Sequence, residues 1–314
     1  MKIIVLASST IASPCISYLQ HQQLLGAVVC PARSDQGTLE FLNWTNAVGL
    51  SVNSLSQEEL QSGLVALIKQ CAATALIAIS FPYKIPELIL NIPKYGFLNI
   101  HFSRLPAYRG PCPVFWQIKN GEKQTGITLQ RMSRNWDQGE VINCLTVPIH
   151  PGETTGLLTA KLSQLTVEVL AKAIATNFEV HQQTEIPSST YQHRPAIEDM
   201  CIDWTNDDAV KIMNLVNACN PAGGGALCVY RGMAIQILEV SLLSELGTPG
   251  LKGGLIIRAD LNGLFVQCTD AKILNIIILK INEGTYSGSK FANMGIKAGE
   301  ILNNYFSLSK SKSA

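Results

Sequence analysis

Through the first 178 residues, short β-branched and apolar runs alternate with longer stretches of helical spacing, the pattern of a mostly parallel sheet flanked by helices. Residues 3–7, 25–30, 74–80 and 97–101 read as strands, and 11–21, 38–48 and 57–71 read as the helices between them. Parallel neighbours need a crossover of a dozen or more residues, and these intervals supply it. Residues 126–132 and 140–149 read as two further strands joined by a polar loop, and a long helix is expected from 155 to about 177. One α/β domain over residues 1–178 is therefore expected.

Residues 179–200 combine Gln, Ser, Pro and charge without periodicity and read as a linker. After a helix-like stretch at 207–218, apolar runs at 226–230, 234–240, 254–259, 264–268 and 273–281 are punctuated by glycine. Such short strands predict a small antiparallel barrel or sandwich over 201–307, with 308–314 as a frayed tail. Gly223, Gly224 and Gly225 read as a flexible turn.

A formal net charge of +1 gives no electrostatic footprint of a nucleic-acid binder, and residues 1–178 hold 13 Lys/Arg against 10 Asp/Glu. Nine cysteines with no C-x-x-C pair read as reduced thiols rather than a disulfide framework. The opening Met1 to Ala7 reads as a buried strand, not a signal peptide, and no run approaches 18 apolar residues. The expected compartment is the cytoplasm, with no membrane partner.

The first strand-to-helix turn, Ala7-Ser8-Ser9-Thr10-Ile11-Ala12-Ser13, lacks the glycines of a dinucleotide fingerprint, and no G-x-x-x-x-G-K-[ST] motif is present. Chemistry concentrates instead at residues 96–110. Strand alternation puts Asn99 and His101 on one face at a carboxyl end, where open α/β sheets place their ligands. A loop at 133–140 brings Asp137 as a group able to orient or charge-tune the imidazole. His21, His150, His181 and His193 show no ligand spacing and read as structural, so no metal is expected.

The ordered set Asn99-x-His101-x-Ser103-x-Leu105-Pro106-x-x-Arg109-Gly110-x-x-Pro113, then Gly121-Glu122, Thr125-Gly126-Ile127-Thr128 and Asp137-x-Gly139, resembles the signature of the folate-dependent formyltransferases. Within that family it is most similar to the methionyl-tRNA formyltransferase branch and its sugar-nucleotide relatives. Ile202-Asp203-Trp204, Asn220-Pro221, Pro249-Gly250, Gly263, Ile273-Leu274 and residues 298–302 follow in the order of that branch, so the resemblance covers nearly the whole chain.

The resemblance implies a Rossmann-like formyltransferase domain followed by an OB-like β-barrel, and transfer of a formyl group from 10-formyltetrahydrofolate to a primary amine without metal. It also implies catalytic roles for Asn99, His101 and Asp137. The Asn99 amide and a protonated His101 would stabilise the oxyanion, while Asp137 holds His101 and assists proton removal from the amine. The pterin pocket would be lined by the segment 81–86, with Phe81, Tyr83 and Ile85, and by Arg134 and Trp136. Ser103, Pro106 and Arg109 are the candidate substrate contacts; Ser103 is equally readable as structural, Arg109 as a surface ion pair, and Pro106, Gly110 and Pro113 as loop-shaping residues. Folate binding by the first domain alone follows from this placement.

Two features depart from the methionyl-tRNA branch. The stretch at 30–38 is short, with Arg33 and Asp35 where that branch carries a long basic loop, and phosphate contacts supply most nucleic-acid affinity. From residue 202 onward 10 Lys/Arg face 9 Asp/Glu, and Ala222 with the following glycines replaces the Trp-Pro pair usual after Asn-Pro. The expected acceptor is therefore a small amine such as a nucleotide-linked amino sugar. Initiator Met-tRNA is the alternative, and a 10-formyltetrahydrofolate hydrolase or noncatalytic folate binder is a third reading. The sequence assigns no oligomeric state.

Overall fold

In the computed structural model, residues 1–180, 187–221 and 223–306 are described; His181, part of the stretch read as a linker, Ala222 and the tail from 307 lie outside them. Two compact units result, one from residues 1–113, 124–148 and 159–192, the other from 114–123, 149–158 and 193 onward. In the first unit, strands β1 (Ile3–Ala7), β2 (Leu25–Pro31), β3 (Val52–Leu55), β4 (Ala75–Ile79) and β5 (Phe97–His101) run parallel, and β6 (Gln124–Arg131) and β7 (Val141–Pro148) add antiparallel. Their order is β3-β2-β1-β4-β5-β6-β7. This is the expected mostly parallel α/β sheet. Strand β3, absent from the sequence reading, is an edge strand of four residues with only Val52 and Leu55 apolar, too weak a pattern to stand out.

The helices are α1 (Ser13–His21), α2 (Gln36–Ala47), α3 (Leu60–Cys71), α4 (Pro113–Lys119) and α5 (Thr155–Ala175), and α1, α2, α3 and α5 fall where the spacing predicts them. Local chemistry sets their ends. The Asp35 carboxylate accepts from the Thr38 amide at 3.2 Å and starts α2, and Ala72 in the left-handed region ends α3. Leu60, Leu64 and Ile68 form the inward stripe of α3 and pack on Ile4, Leu6, Val29, Leu76, Ala78 and Phe97. Because side chains alternate along a strand, those sheet residues share one face, and truncating Leu64 there would cost about 2–5 kcal/mol. In the same unit, Asn143 Nδ2 donates to the Val169 carbonyl at 3.2 Å and Ser163 Oγ to the Ile11 carbonyl at 2.7 Å, fixing the later turns of α5.

The second unit carries α6 (Ala209–Ala218) and strands β8 (Ala226–Tyr230), β9 (Met233–Leu246), β10 (Leu255–Asp260), β11 (Gly263–Gln267), β12 (Lys272–Ile281) and β13 (Gly284–Ser287), followed by α7 (Gly288–Ala292). The sheet is antiparallel in the order β10-β11-β12-β9-β8, with β13 beside β12. Its two edges are closed by residues 300–303. Val229 and Asn303 exchange two backbone hydrogen bonds of 2.9 and 2.7 Å, while Ile256 donates to the Glu300 carbonyl and Leu302 to the Gly254 carbonyl, both at 2.8 Å. Closure leaves neither β8 nor β10 as an open edge, the device by which small barrels avoid edge pairing. The Glu300 carboxylate also accepts hydrogen bonds from the Tyr230 hydroxyl and the Arg231 guanidinium, tying the closing segment to the end of β8.

All nine cysteines are thiols. Burial pushes the Cys15, Cys219, Cys228 and Cys268 thiols up to about 12. Among the described residues no helix is long and apolar enough to cross a membrane.

Candidate active site

Phe97, Asn99 and His101 alternate onto the face of β5 shared with Leu76 and Ala78. Phe97 lies in the core under α3, and beyond it the same face turns polar. Register makes Ala78, Asn99 and Gln130 direct neighbours across β4, β5 and β6, and sets Thr128 opposite His101. The site is thus the uncovered continuation of the α3-side core, at the carboxyl ends of β4 and β5.

Asp137 reaches this wall from the loop joining β6 to β7, with φ of +52°. Its Oδ1 accepts from Asn99 Nδ2 at 3.3 Å and from Gln130 Nε2 at 3.2 Å, and its Oδ2 accepts from the Gly110 amide at 2.9 Å. His101 Nδ1 stands 3.7 Å from Oδ1, and both side chains are only 8% exposed, so solvent screens this pair little. The other ring nitrogen, Nε2, lies 2.8 Å from the Tyr108 carbonyl. A carbonyl only accepts, so Nε2 carries the proton and Nδ1 faces the carboxylate.

Two glycines permit this geometry. Gly110 has φ of +109°, and a Cβ there would fall on the Gln192 carbonyl oxygen. At Gly139 a Cβ would fall on the carbonyl oxygen of Arg131, while its amide donates to Gln130 Oε1 at 3.2 Å. Gln130 therefore bridges Gly139 and Asp137 with the two ends of one buried amide.

A pocket of about 490 Å³, solvent at its mouth included, opens beside this wall. Asn99 and Asp137 line it, together with Phe81, Tyr83, Ile85, Arg134 and Trp136. Phe81 and Tyr83 meet edge to face at 5.6 Å, and Trp136 is half exposed at the rim. Arg134 extends toward Glu87 at 3.8 Å, both well exposed. His101 stands behind the lining rather than on it. Ser103 is fully buried, its hydroxyl donating to the Ala107 carbonyl at 2.6 Å. Pro106 follows a cis peptide bond, and Arg109 Nε donates to the Thr190 carbonyl at 3.4 Å. None of Ser103, Pro106 and Arg109 is among the residues lining the pocket.

Sequence reasoning missed Gln130, the Tyr108 carbonyl, and Leu90 and Met132 of the lining. Gln130 becomes visible only once the β5–β6 register places it opposite Asn99. Among the described residues no group of three or more His, Cys, Asp or Glu could hold a metal.

An α/β unit with amide, imidazole and carboxylate at its strand ends, joined in sequence to a closed antiparallel barrel, defines a two-domain enzyme architecture. The chain belongs to the formyl transferase family: residues 1–174 match the family model for formyl transferase, and 196–294 that for the formyl transferase C-terminal domain. The methionyl-tRNA formyltransferase of Geotalea uraniireducens (strain Rf4) is 32% identical over 243 residues, 76% of each chain. In fold the chain is similar to the N-formyltransferase of Helicobacter canadensis in complex with folinic acid and dTDP-3-aminofucose, with a TM-score of 0.63 and 19% identity over 91% of this chain and all of that one. It is also similar to HypX of Aquifex aeolicus in complex with tetrahydrofolic acid, with a TM-score of 0.63, 18% identity and 96% of this chain covered, and spans about half (49%) of the HypX chain.

Proposed function

We propose that this chain transfers a formyl group from 10-formyltetrahydrofolate to a primary amine, and that the amine is the aminoacyl group of initiator Met-tRNA. The observation that carries the transfer is the convergence of Asn99 and Asp137 on the wall of an apolar pocket lined by Phe81, Tyr83, Ile85 and Trp136. A pterin needs a flat apolar slot with a few fixed polar groups, and this pocket sets aromatic and aliphatic side chains beside the Asn99 amide and the Asp137 carboxylate. Asn99 spends one amide hydrogen on Asp137 and has a second for the oxygen that gains charge as the amine attacks. Asp137, held in place by Gln130 and the Gly110 amide, takes the proton that the amine must lose and returns it to the folate nitrogen from which the formyl group departs. His101, with both ring nitrogens turned toward protein acceptors, acts through Asp137. Arg134 and Trp136 would face the folate at the pocket mouth, and Ser103, Pro106 and Arg109 shape the loop beside the acceptor.

The names of the curated relatives support the tRNA acceptor over the small amine that the sequence favours. The small amine stands as a second reading on one specific observation. The β2–α2 connection spans residues 32–35 only, and its single cation, Arg33, pairs with Asp35 at 3.2 Å. That leaves the connection little charge to spend on phosphates. The deciding measurement is kcat/KM on charged initiator tRNA against a panel of amino-sugar nucleotides at one salt concentration, with 10-formyltetrahydrofolate as donor. A preference for tRNA of at least about tenfold, with a steep log–log salt dependence, is the expected result. A preference for a small amine would move the acceptor to the second reading, and formate release without any acceptor would make the chain a hydrolase.

A further inference from the structure

Residues 190–192 follow the first unit's last helix by sequence and lie along the loop 106–110. The Thr190 amide donates to the Pro106 carbonyl at 3.2 Å, the Arg109 amide to the Thr190 carbonyl at 3.1 Å, and the Gln192 amide to the Arg109 carbonyl at 2.8 Å. Side chains add two more bonds: the Thr190 hydroxyl accepts from the Tyr108 amide at 2.8 Å, and Arg109 Nε donates to the Thr190 carbonyl at 3.4 Å. The opposite side of this loop faces the catalytic pair. The Tyr108 carbonyl accepts from His101 Nε2 at 2.8 Å, and the Gly110 amide donates to Asp137 Oδ2 at 2.9 Å. Three consecutive residues, 108 to 110, are thus held between a strap on one side and His101 with Asp137 on the other.

The loop needs that hold. Tyr108 has φ of +54°, a left-handed conformation that costs a non-glycine residue about 1–3 kcal/mol and persists only where neighbours fix it. Thr190 holds the peptides on both sides of this residue: its hydroxyl takes the amide of the 107–108 peptide, and its carbonyl takes the Arg109 amide of the 108–109 peptide, whose carbonyl faces His101, so the hydroxyl bond fixes the Tyr108 torsions that aim that carbonyl. Gly110 admits the strap at all, because any Cβ there would strike the Gln192 carbonyl.

We propose that residues 190–192 brace the catalytic loop and that Thr190 is a positioning residue, setting the orientation and tautomer of His101 through the Tyr108 peptide. The inference rests on the assignment of His101 and Asp137 as catalytic machinery. It gives a stretch that reads as a linker a role in turnover, carried entirely by contacts within the first unit.

Thr190→Val in the full chain keeps shape and all the backbone bonds while removing the hydroxyl acceptor; Thr190→Ser keeps the acceptor. Thr190 is exposed, so neither variant disturbs the core. Thr190→Val is expected to lower kcat about 3- to 10-fold, the kinetic equivalent of one hydrogen bond, with KM for 10-formyltetrahydrofolate within about twofold. Thr190→Ser restores kcat. Proton NMR with nitrogen-15-labelled histidine supplies a readout independent of turnover: the His101 Nε2–H signal exchanges with solvent at least about fivefold faster in Thr190→Val. Unchanged kcat and exchange in Thr190→Val, a Thr190→Ser variant as slow as Thr190→Val, or a parallel fall of kcat, donor affinity and melting temperature would each overturn the proposal. His101→Asn, measured alongside, separates the two ideas. If it retains turnover the catalytic assignment fails, and the brace is then judged on the exchange rate alone, where an unchanged signal overturns it.

Discussion

Replacing Asp137 with Asn changes one atom and breaks the donor–acceptor logic of the whole wall. The native carboxylate accepts from three donors, Asn99 Nδ2, Gln130 Nε2 and the Gly110 amide, and faces the His101 ring. An amide at 137 can turn its oxygen toward Gly110, which sets its NH₂ against those of Asn99 and Gln130, or toward the two amides, which sets its NH₂ against the Gly110 N–H. Asn99 could rotate its amide in response. Gln130 cannot do so without turning its NH₂ toward the Gly139 amide, which its oxygen now accepts. Either orientation therefore buries a donor against a donor at about 1–3 kcal/mol, and the loss of charge-assisted bonds brings the ground-state cost to about 2–4 kcal/mol. Turnover suffers more, because the proton acceptor is gone: kcat should fall by about 10²-fold or beyond, with donor affinity changed far less. Single-turnover formyl transfer and thermal melting measure the two effects separately. The double variant Asn99→Asp/Asp137→Asn restores complementarity between positions 99 and 137 but moves the charge onto the strand, so it should regain part of the stability and none of the turnover. Asp137→Asn within about threefold of wild-type kcat, or a double variant that recovers turnover, would refute the role given to this carboxylate.

Trp136→Ala removes a half-exposed pocket wall and should raise KM for 10-formyltetrahydrofolate about 5- to 20-fold with kcat nearly constant in steady-state assays. Gly139→Ala pushes a methyl onto the fixed Arg131 carbonyl, so the loop bearing Asp137 must shift; kcat should fall at least about tenfold and melting should move down by several degrees. Hydrogen bonds from Tyr230 and Arg231 hold the Glu300 carboxyl down to about 2. A depressed folded-state value stabilises the barrel fully above the ordinary carboxyl range near 4.5, and that contribution is lost as pH falls toward 2. Acid titration of unfolding should therefore show a loss across that window that Glu300→Gln abolishes.

Much of this molecule can be read from the order of its residues because period and position coincide. The runs at 3–7 and 97–101 are strands to the residue, and Asn99 and His101 share a face because they are two apart. What escapes is whatever depends on register or on distant partners. Gln130 matters only because β6 pairs with β5 so as to set it opposite Asn99. The closing segment at 300–303 carries no strand-like pattern, since its pairing is dictated by the free edges of β8 and β10 rather than by its own propensity. Ser103 and Arg109 sit in the motif yet point to backbone carbonyls, so motif membership marks the loop without separating residues that shape it from residues that meet a ligand. The short β2–α2 connection speaks for one acceptor and the curated relatives for another, because the strand ends that carry Asn99 and His101 do not themselves distinguish one amine from another.

The buried thiols turn each unit into its own reporter of breathing. Only a thiolate reacts with an alkylating agent, so a thiol near 12 and shut off from solvent is silent until its surroundings open. Cys15 lies in the first unit, and Cys219, Cys228 and Cys268 lie in the second. Timed alkylation under native conditions, read by mass at each cysteine, would therefore yield an opening free energy for the sheet and another for the barrel from one sample without denaturant. A ligand that clamps the pocket should slow the clock at Cys15 while leaving the barrel's three clocks running at their own pace.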